Sequence, residues 1–169
     1  VPAIQSQTFV SPFKMERMTW IKPSFLWMMY RCGWACKPGQ ETVLGIRILR
    51  TGFEWALDNG CLSSARKVGV TVKEWPEYKK RFPVRIQWDP ERDVCLERLD
   101  HRSIQIGLSN EAVVRYVQDW IVEIQDVTPL AKQIHHLVQE GDLPKAKSLL
   151  PTETVYPNSG QWAERLKLG

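Results

Sequence analysis

Residues 17–31 have the sequence RMTWIKPSFLWMMYR, and this segment decides where the centre of the fold lies. Its side chains are mostly apolar, which is typical of a buried segment. We predict a strand over residues 18–21 that stops at Pro23. Ser24 is a good N-cap for the helix that follows, and Gly33 lies just past the expected end of that helix. Because this helix is apolar on most sides, we expect it to be buried at the centre of the protein.

Five polar residues interrupt this apolar segment: Arg17, Lys22, Ser24, Tyr30 and Arg31. Buried polar groups are costly unless they are paired or are kept for a functional site. A serine at a helix N-terminus lies beside free backbone N–H groups, which stabilise an oxyanion. Ser24 is therefore a candidate nucleophile, and Lys22 or Tyr30 is the group expected to take its proton. The alternative is that Ser24 only caps its helix. Substrate contacts are expected from three further residues: Arg17, Trp20 and Arg31.

A second polar cluster, DPERD at residues 89–93, follows the alternating apolar strand predicted over residues 84–88. We predict that Asp89 and Pro90 end this strand. Strand ends often carry catalytic acids or carboxylates that bind a cation. Asp89 and Glu91 are the candidate catalytic carboxylates, and Arg92 and Asp93 are candidate substrate-binding residues. The alternative is a solvated hairpin turn held by local ion pairs, which contribute little to stability.

A third polar group, Arg102 with Ser103 and Gln105, lies at the strand predicted over residues 103–108, where isoleucine and leucine alternate with polar or small residues. Gln105 faces away from the apolar side of this strand, as Gln87 does on the preceding one. If the two strands are neighbours, these glutamines lie side by side on one polar face. Such a face suggests a wet groove that binds substrate through Gln87, Arg102 and Gln105; the alternative is a solvent-facing sheet surface.

The remaining elements are predicted from caps, turns and periodicity. An arm or short helix is expected before Ser11. A strand is expected over residues 43–50, a helix with a capping box at residues 51–54, and an irregular exposed loop over residues 61–82. One helix is expected to carry the apolar stripe between residues 113 and 124, and two more helices follow, beginning at Thr128 and after residues 141–142. The prediction is one α+β domain over residues 1–169, with a small, mostly antiparallel sheet, a buried central helix and a C-terminal helical segment.

The composition is that of an ordinary globular chain, with 43% hydrophobic and 25% charged residues. The net charge of +4 permits binding to phosphates but does not require it. No apolar stretch is long enough to cross a membrane, so we expect no membrane partner and a cytoplasmic location. The four cysteines form no Cys-x-x-Cys pair, so we expect free buried thiols, no metal site and no cofactor. The common nucleotide, zinc-protease and hydrolase motifs are missing from the sequence.

The segment 17–31, together with QWDPERD at residues 87–93 and RSIQIGL at residues 102–108, resembles the bacterial and fungal domain-of-unknown-function 4291 family. Further matching segments lie at residues 39–41, 52–57 and 150–157, so the resemblance covers nearly the whole chain. Members of this family usually carry a further N-terminal strand segment with Arg and Tyr residues. The resemblance therefore implies that part of the site precedes Val1.

The chain is also similar to the fungal arginine-containing cyclodipeptide synthases. This similarity implies a small biosynthetic transferase that joins two aminoacyl groups taken from tRNA. In such an enzyme the carboxylates Asp89, Glu91 or Asp93 hold an arginyl guanidinium, and Ser24 carries the acyl group. A pocket lined by tryptophan takes the second side chain. The phosphates of tRNA are expected on a basic patch formed by Arg66, Lys79, Lys80, Arg81 and Arg85.

Two other functions are compatible with the residues. The first is an enzyme that consumes NAD, of the ADP-ribosyltransferase type, since short antiparallel strands, scattered arginines and a late carboxylate cluster suit that class. The second is a non-enzymatic module in which the polar face and the tryptophans recognise RNA or a peptide.

Overall fold

The computed structural model describes residues 1–157 and 161–166. Its centre is a four-stranded sheet in the order β1-β5-β4-β3, and a second sheet pairs β2 with β6. The strands are β1 (Thr19–Ile21), β2 (Leu44–Ile48), β3 (Gly60–Leu62), β4 (Val84–Arg92), β5 (Arg98–Leu108) and β6 (Ile121–Asp126).

Helices surround both sheets. They are α1 (Pro2–Ser6), α2 (Phe25–Cys32), α3 (Arg50–Asp58), α4 (Ala65–Val68), α5 (Trp75–Lys80), α6 (Glu111–Arg115), α7 (Thr128–Gln139), α8 (Leu143–Ser148) and α9 (Trp162–Arg165). A π-helical segment, Tyr116–Trp120, continues α6 directly into β6. Among the described residues, no helix combines the length and the apolar character that crossing a membrane requires.

The strands β4 and β5 form a long antiparallel hairpin, which lies at the centre of the larger sheet. The strand β1 pairs antiparallel with only the last part of β5, ending at the pair Ile21 and Ile106. On the side where β1 lies, the earlier part of β5 therefore forms an open edge within the described residues. The strand β3 is parallel to β4, so the sheet is mostly antiparallel. The predicted α+β fold is confirmed.

The helix α2 begins and ends where the sequence predicts. The Ser24 hydroxyl accepts a hydrogen bond from the backbone N–H of Trp27 at 3.0 Å, and Gly33 follows the helix in the left-handed conformation with φ of 58°. Met29 and Cys32 are fully buried in a core cluster that also contains residues of α7, whereas Tyr30 and Arg31 on the same helix are exposed. The prediction of a helix buried at the centre of the protein is therefore wrong, because α2 buries one face only. The main core lies on the other side of the sheet, where alternate residues of β4 and β5 pack against α3 and α6.

The predicted end of the first hairpin strand at Asp89 and Pro90 is wrong. The strand β4 continues to Arg92, and β5 begins at Arg98 rather than at residue 103. The register shifts between Pro90 and Arg92, which is a β-bulge. A proline is tolerated at a bulge because a ladder hydrogen bond is already missing there.

The predicted capping box is also wrong. The helix α3 begins at Arg50, one residue before Thr51, and its N-cap makes no side-chain hydrogen bond. The Glu54 carboxylate, which would close a capping box, instead accepts hydrogen bonds from Arg50 and Tyr156. The distant hydroxyl of Tyr156 and the side chain of Arg50 therefore take the place of the Thr51 backbone N–H that a capping box would supply.

The segment 61–82 is not irregular, because it contains part of β3 and the whole of α4 and α5. The pairing of β3 with β4 joins residues that are distant in sequence, and no local pattern signals it. The apolar stripe over residues 113–124 does not form one helix either. Only residues 113–120 are helical, and the last four residues of the stripe belong to β6, whose backbone groups pair with β2.

Candidate functional site

The polar face of the larger sheet carries a carboxylate held by two glutamines. Gln87 and Gln105 are direct neighbours across β4 and β5, as the alternating pattern predicts. The Gln87 side-chain amide donates to Asp89 Oδ1 at 3.0 Å, and the Gln105 amide donates to Asp89 Oδ2 at 2.6 Å. Both oxygens of Asp89 are therefore oriented by the sheet itself.

Lys22 lies beside this carboxylate, two positions after Trp20. Burial lowers the pKa of the Lys22 ammonium, and the nearby charge of Arg31 lowers it further, whereas Asp89 acts in the opposite direction. Lys22 lines a cleft of about 700 Å³ between β1 and β2. A lysine with a lowered pKa is a better proton acceptor at neutral pH than a solvated one.

Two further cavities, of about 230 and 710 Å³, lie beside the open edge of β5, and Ser24, Glu91, His101 and Glu153 line both of them. We refer to the two together as the acidic cavity. The larger part is also lined by aromatic side chains of the main core: Phe53, Trp88, Tyr156 and Trp162. The acidic cavity thus combines two carboxylates with a large apolar wall, and Arg92, His101 and Arg102 also line it.

Glu153 is a residue of this site that sequence reasoning missed. Burial raises the pKa of its carboxyl group, and the charge of Glu91 raises it further. Glu153 Oε1 also accepts a hydrogen bond from the backbone N–H of Phe25, at 2.7 Å, which acts against that rise. The only sequence signal for this region was the resemblance of residues 150–157 to the family.

The segment 151–157, which we call the strap, passes over the acidic cavity and the neighbouring cleft. Thr154, Val155 and Tyr156 line both spaces. The Tyr156 hydroxyl donates to Glu54 at 2.8 Å and accepts from Arg50 at 3.0 Å. The strap is therefore attached at Tyr156, as well as at Glu153.

Ser103 contributes a buried hydroxyl to the larger part of the acidic cavity. It lies opposite Asp89 in the hairpin and is 7% exposed. Its Oγ has no hydrogen-bond partner among the described residues. A buried hydroxyl without a partner is rare in a folded protein.

The candidate residues of α2 and β4 separate into distinct environments. Tyr30 stacks on Trp27, with ring centroids 5.1 Å apart, and the Arg92 guanidinium lies 3.7 Å from the centroid of the Tyr30 ring. Tyr30 therefore contacts Arg92, and it does not line the cavities that contain Ser24. Asp93 Oδ1 accepts from the backbone N–H groups of Cys95 and Glu97, so its contacts stabilise the hairpin turn.

The other candidate substrate-binding residues lie at the surface. Arg102 lines the larger part of the acidic cavity, and its side chain donates to the Trp88 carbonyl at 3.3 Å. Arg31 donates to the Gln40 side chain at 3.4 Å. Trp20 lies over Gly107, where a Cβ would be 3.0 Å from its ring. Arg17 is exposed.

The five residues of the predicted basic patch differ in their freedom to bind phosphate. Arg85 donates to the carbonyls of Phe82, Val84 and Lys79, so its guanidinium holds the chain after α5 in place. Lys80 pairs with Glu77 at 2.6 Å, and Arg81 lies over the ring of Tyr78. Arg66 is exposed on α4, and Lys79 is half-buried.

The four cysteines are free, with Cys32 and Cys61 buried and Cys36 and Cys95 exposed. The expectation of buried thiols therefore holds for two of them. In the part of the chain that the structure describes, no group of three or more His, Cys, Asp or Glu side chains is arranged to hold a metal ion.

The fold and the acidic cavity define a compact α+β protein with a polar pocket at an open sheet edge. Residues 1–156 match the family model described as "Domain of unknown function (DUF4291)", and the chain belongs to this family. No curated protein and no solved structure matches the chain.

Proposed function

We propose that the protein is a small transferase that takes aminoacyl groups from tRNA and makes a cyclodipeptide containing arginine. The observation that carries this proposal is the pair of carboxylates, Glu91 and Glu153, in one cavity. Burial raises the pKa of the Glu153 carboxyl group, and the nearby charge of Glu91 raises it further. Arg92 and Arg102 line the same space, and in this proposal the cationic group of the substrate binds beside them and pairs with the two carboxylates.

An arginyl guanidinium is well suited to this cavity. It is planar, always charged, and able to donate two parallel hydrogen bonds to a carboxylate. The wall formed by Phe53, Trp88 and Trp162 offers the apolar surface against which the methylene stem of arginine, or a second apolar side chain, packs.

The reacting groups proposed at this site are Ser24 and Lys22. Ser24 lines the acidic cavity, and Lys22 is two residues away on the neighbouring cleft. In this proposal, Ser24 Oγ attacks the ester carbonyl of the aminoacyl-tRNA, its proton passes to a base, and the 3′ oxygen of tRNA leaves. The lowered pKa of Lys22 supports its role as that base.

The proposal is tested by incubating the protein with tRNA charged with radiolabelled arginine and a second amino acid, followed by mass spectrometry of the products. We expect a labelled cyclic dipeptide whose formation requires charged tRNA. Replacing Glu91 by glutamine should lower the rate by at least about tenfold, since the guanidinium then loses a charged partner. Glu97→Gln is the matched control, because Glu97 is an exposed carboxylate of the hairpin turn.

A tRNA partner is tested separately through salt. Six phosphate contacts would give a slope of log K against log salt of about −5. Reversing the charge of Lys79 and Lys80 together is expected to flatten this slope. Binding that does not depend on salt, no tRNA binding, or a bound nucleotide in the purified protein would contradict the proposal.

A further inference from the structure

The positive charge of the protein is concentrated in one segment. Residues 64–85 contain seven lysines and arginines against two glutamates, whereas the rest of the chain contains sixteen basic residues against seventeen acidic ones. This segment comprises α4, α5 and the first two residues of β4. The net charge of +4 therefore arises from this segment alone, and such a concentration of charge is typical of a surface that binds nucleic acid.

Three aromatic side chains lie among these basic residues and outside the core. Trp75, Tyr78 and Phe82 are half-buried, and they are members of neither core cluster of the described residues. Their rings form a continuous row, with centroids 6.0 Å apart between Trp75 and Tyr78 and 5.4 Å apart between Tyr78 and Phe82. Val72, just before this row, is 83% exposed. Large apolar groups that the core does not use indicate a surface that contacts a partner.

The aromatic row is held in place by hydrogen bonds of its own segment. The Arg85 guanidinium donates to the carbonyl oxygens of Lys79 and Phe82. Glu74 Oε2 accepts from the backbone N–H of Thr71 at 2.9 Å and from its hydroxyl at 2.7 Å, just before α5 begins. Because both ends of the row are fixed before a partner arrives, little ordering remains to oppose binding.

We propose that this row is a stacking platform for an unpaired stretch of RNA, whose bases pack against Trp75 and Tyr78 and whose phosphates bind Lys73, Lys79 and Arg81. Every base has a π-face and every linkage carries a negative charge, so aromatic rings flanked by cations suit a single strand of any sequence. The Arg81 guanidinium, 4.9 Å from the centre of the Tyr78 ring, adds a planar cation to the row. The proposal rests on the proposed function for the choice of RNA, and it concerns how the RNA is held rather than how it reacts.

Two probes of equal charge separate stacking from charge. An oligoadenylate RNA of about twelve nucleotides and an abasic oligonucleotide of the same length carry the same phosphates, and only the first carries bases. Their dissociation constants are measured with the full chain by fluorescence anisotropy, at several salt concentrations. We expect the oligoadenylate to bind at least about fivefold more tightly, which is the lower end of the range for one base stacked on an aromatic side chain.

Tyr78→Ala is the sharpest variant, and Tyr78→Phe is its matched control, since phenylalanine keeps the ring and removes only the hydroxyl. We expect the preference for the probe with bases to disappear in Tyr78→Ala and to remain in Tyr78→Phe. The Tm of each variant is measured alongside, and Trp75→Ala gives the same test if Tyr78→Ala does not fold.

Lys79→Ala tests the cations independently of the rings. Each phosphate contact that is lost from a single strand should flatten the slope of log K against log salt by about 0.7, and the change should be the same for both probes. Lys132→Ala, which replaces an exposed lysine of α7, is the control and should leave the slope unchanged.

The outcomes distinguish this platform from the reaction. Equal binding of the two probes, no binding of either at low salt, or a preference for bases that survives both Tyr78→Ala and Trp75→Ala would refute the platform, even if the protein makes a cyclodipeptide from charged tRNA. A preference for bases that both variants abolish, in a protein that makes no cyclodipeptide, would support the platform and refute the proposed function alone.

Discussion

Replacing Gly52 by alanine is expected to destabilise the protein even though alanine is the better helix former. Gly52 is buried within α3, where the helix passes against the ring of Trp120. A Cβ built on Gly52 would contact Trp120 Cγ directly and would lie 2.6 and 2.7 Å from Cδ1 and Cδ2. Ordinary carbon contacts are about 3.5–4.0 Å, so the helix or the ring must move by about 1 Å.

The expected magnitude follows from two opposing effects. Overpacking a core costs about 1–3 kcal/mol, and the upper end applies here because the contacted atoms are the base of a buried indole and cannot swing aside. Alanine recovers about 1 kcal/mol of helix propensity. The free energy of unfolding should therefore fall by about 2 kcal/mol, which corresponds to a decrease in Tm of about 4–8 °C for a domain of this size.

The assay is urea denaturation followed by tryptophan fluorescence, with the midpoint compared between variants. Thr51→Ala is the control, since it changes an exposed residue of the same helix and should leave stability equal or slightly higher. A double-mutant cycle adds Trp120→Phe to the wild type and to Gly52→Ala. The interaction free energy between the two substitutions should exceed about 0.5 kcal/mol, because the two residues are in contact. A Gly52→Ala variant as stable as the wild type would refute the packing argument.

Two further predictions concern carboxylates. Burial raises the pKa of Glu153 in the folded state, so its contribution to stability is present below its unfolded pKa and is lost as the pH rises through the raised folded value. In a plot of the denaturation midpoint against pH, Glu153→Gln should reduce the fall in the midpoint that begins above about pH 4. An unchanged slope would count against the burial of this carboxyl group. Asp93→Ala should lower the free energy of unfolding by about 1–2 kcal/mol, because two backbone N–H groups of the hairpin turn lose their acceptor. Loss of activity without any loss of stability in this variant would show that Asp93 belongs to the site instead.

The features that could be predicted from sequence are those with short-range causes. Ser24 and Gly33 delimit α2 because a cap acts on backbone groups within one helical turn. Gln87 and Gln105 could be placed on one polar face because strand side chains alternate with a period of two. The family resemblance, which rests on long local motifs, was confirmed over residues 1–156.

The predictions from sequence were wrong where one local pattern is compatible with two different structures. The apolar stripe over residues 113–124 has helical spacing, and its last four residues nevertheless form a strand, because β2 offers a ladder of backbone partners. The acidic segment 89–93 was treated as one cluster. In the structure, Asp89 is held by two glutamines, Glu91 lines the cavity and Asp93 stabilises the turn.

The sequence by itself determined the fold class, the two caps of α2 and the polar face of the hairpin, since local hydrogen bonds and side-chain periodicity decide these features. Tertiary structure alone decided which carboxylates share a cavity. Glu91 lies on β4 and Glu153 on the strap, and only the chain's return past α2 brings them together. The raised pKa of Glu153, to which burial and the charge of Glu91 contribute, arises only because distant segments pack together here.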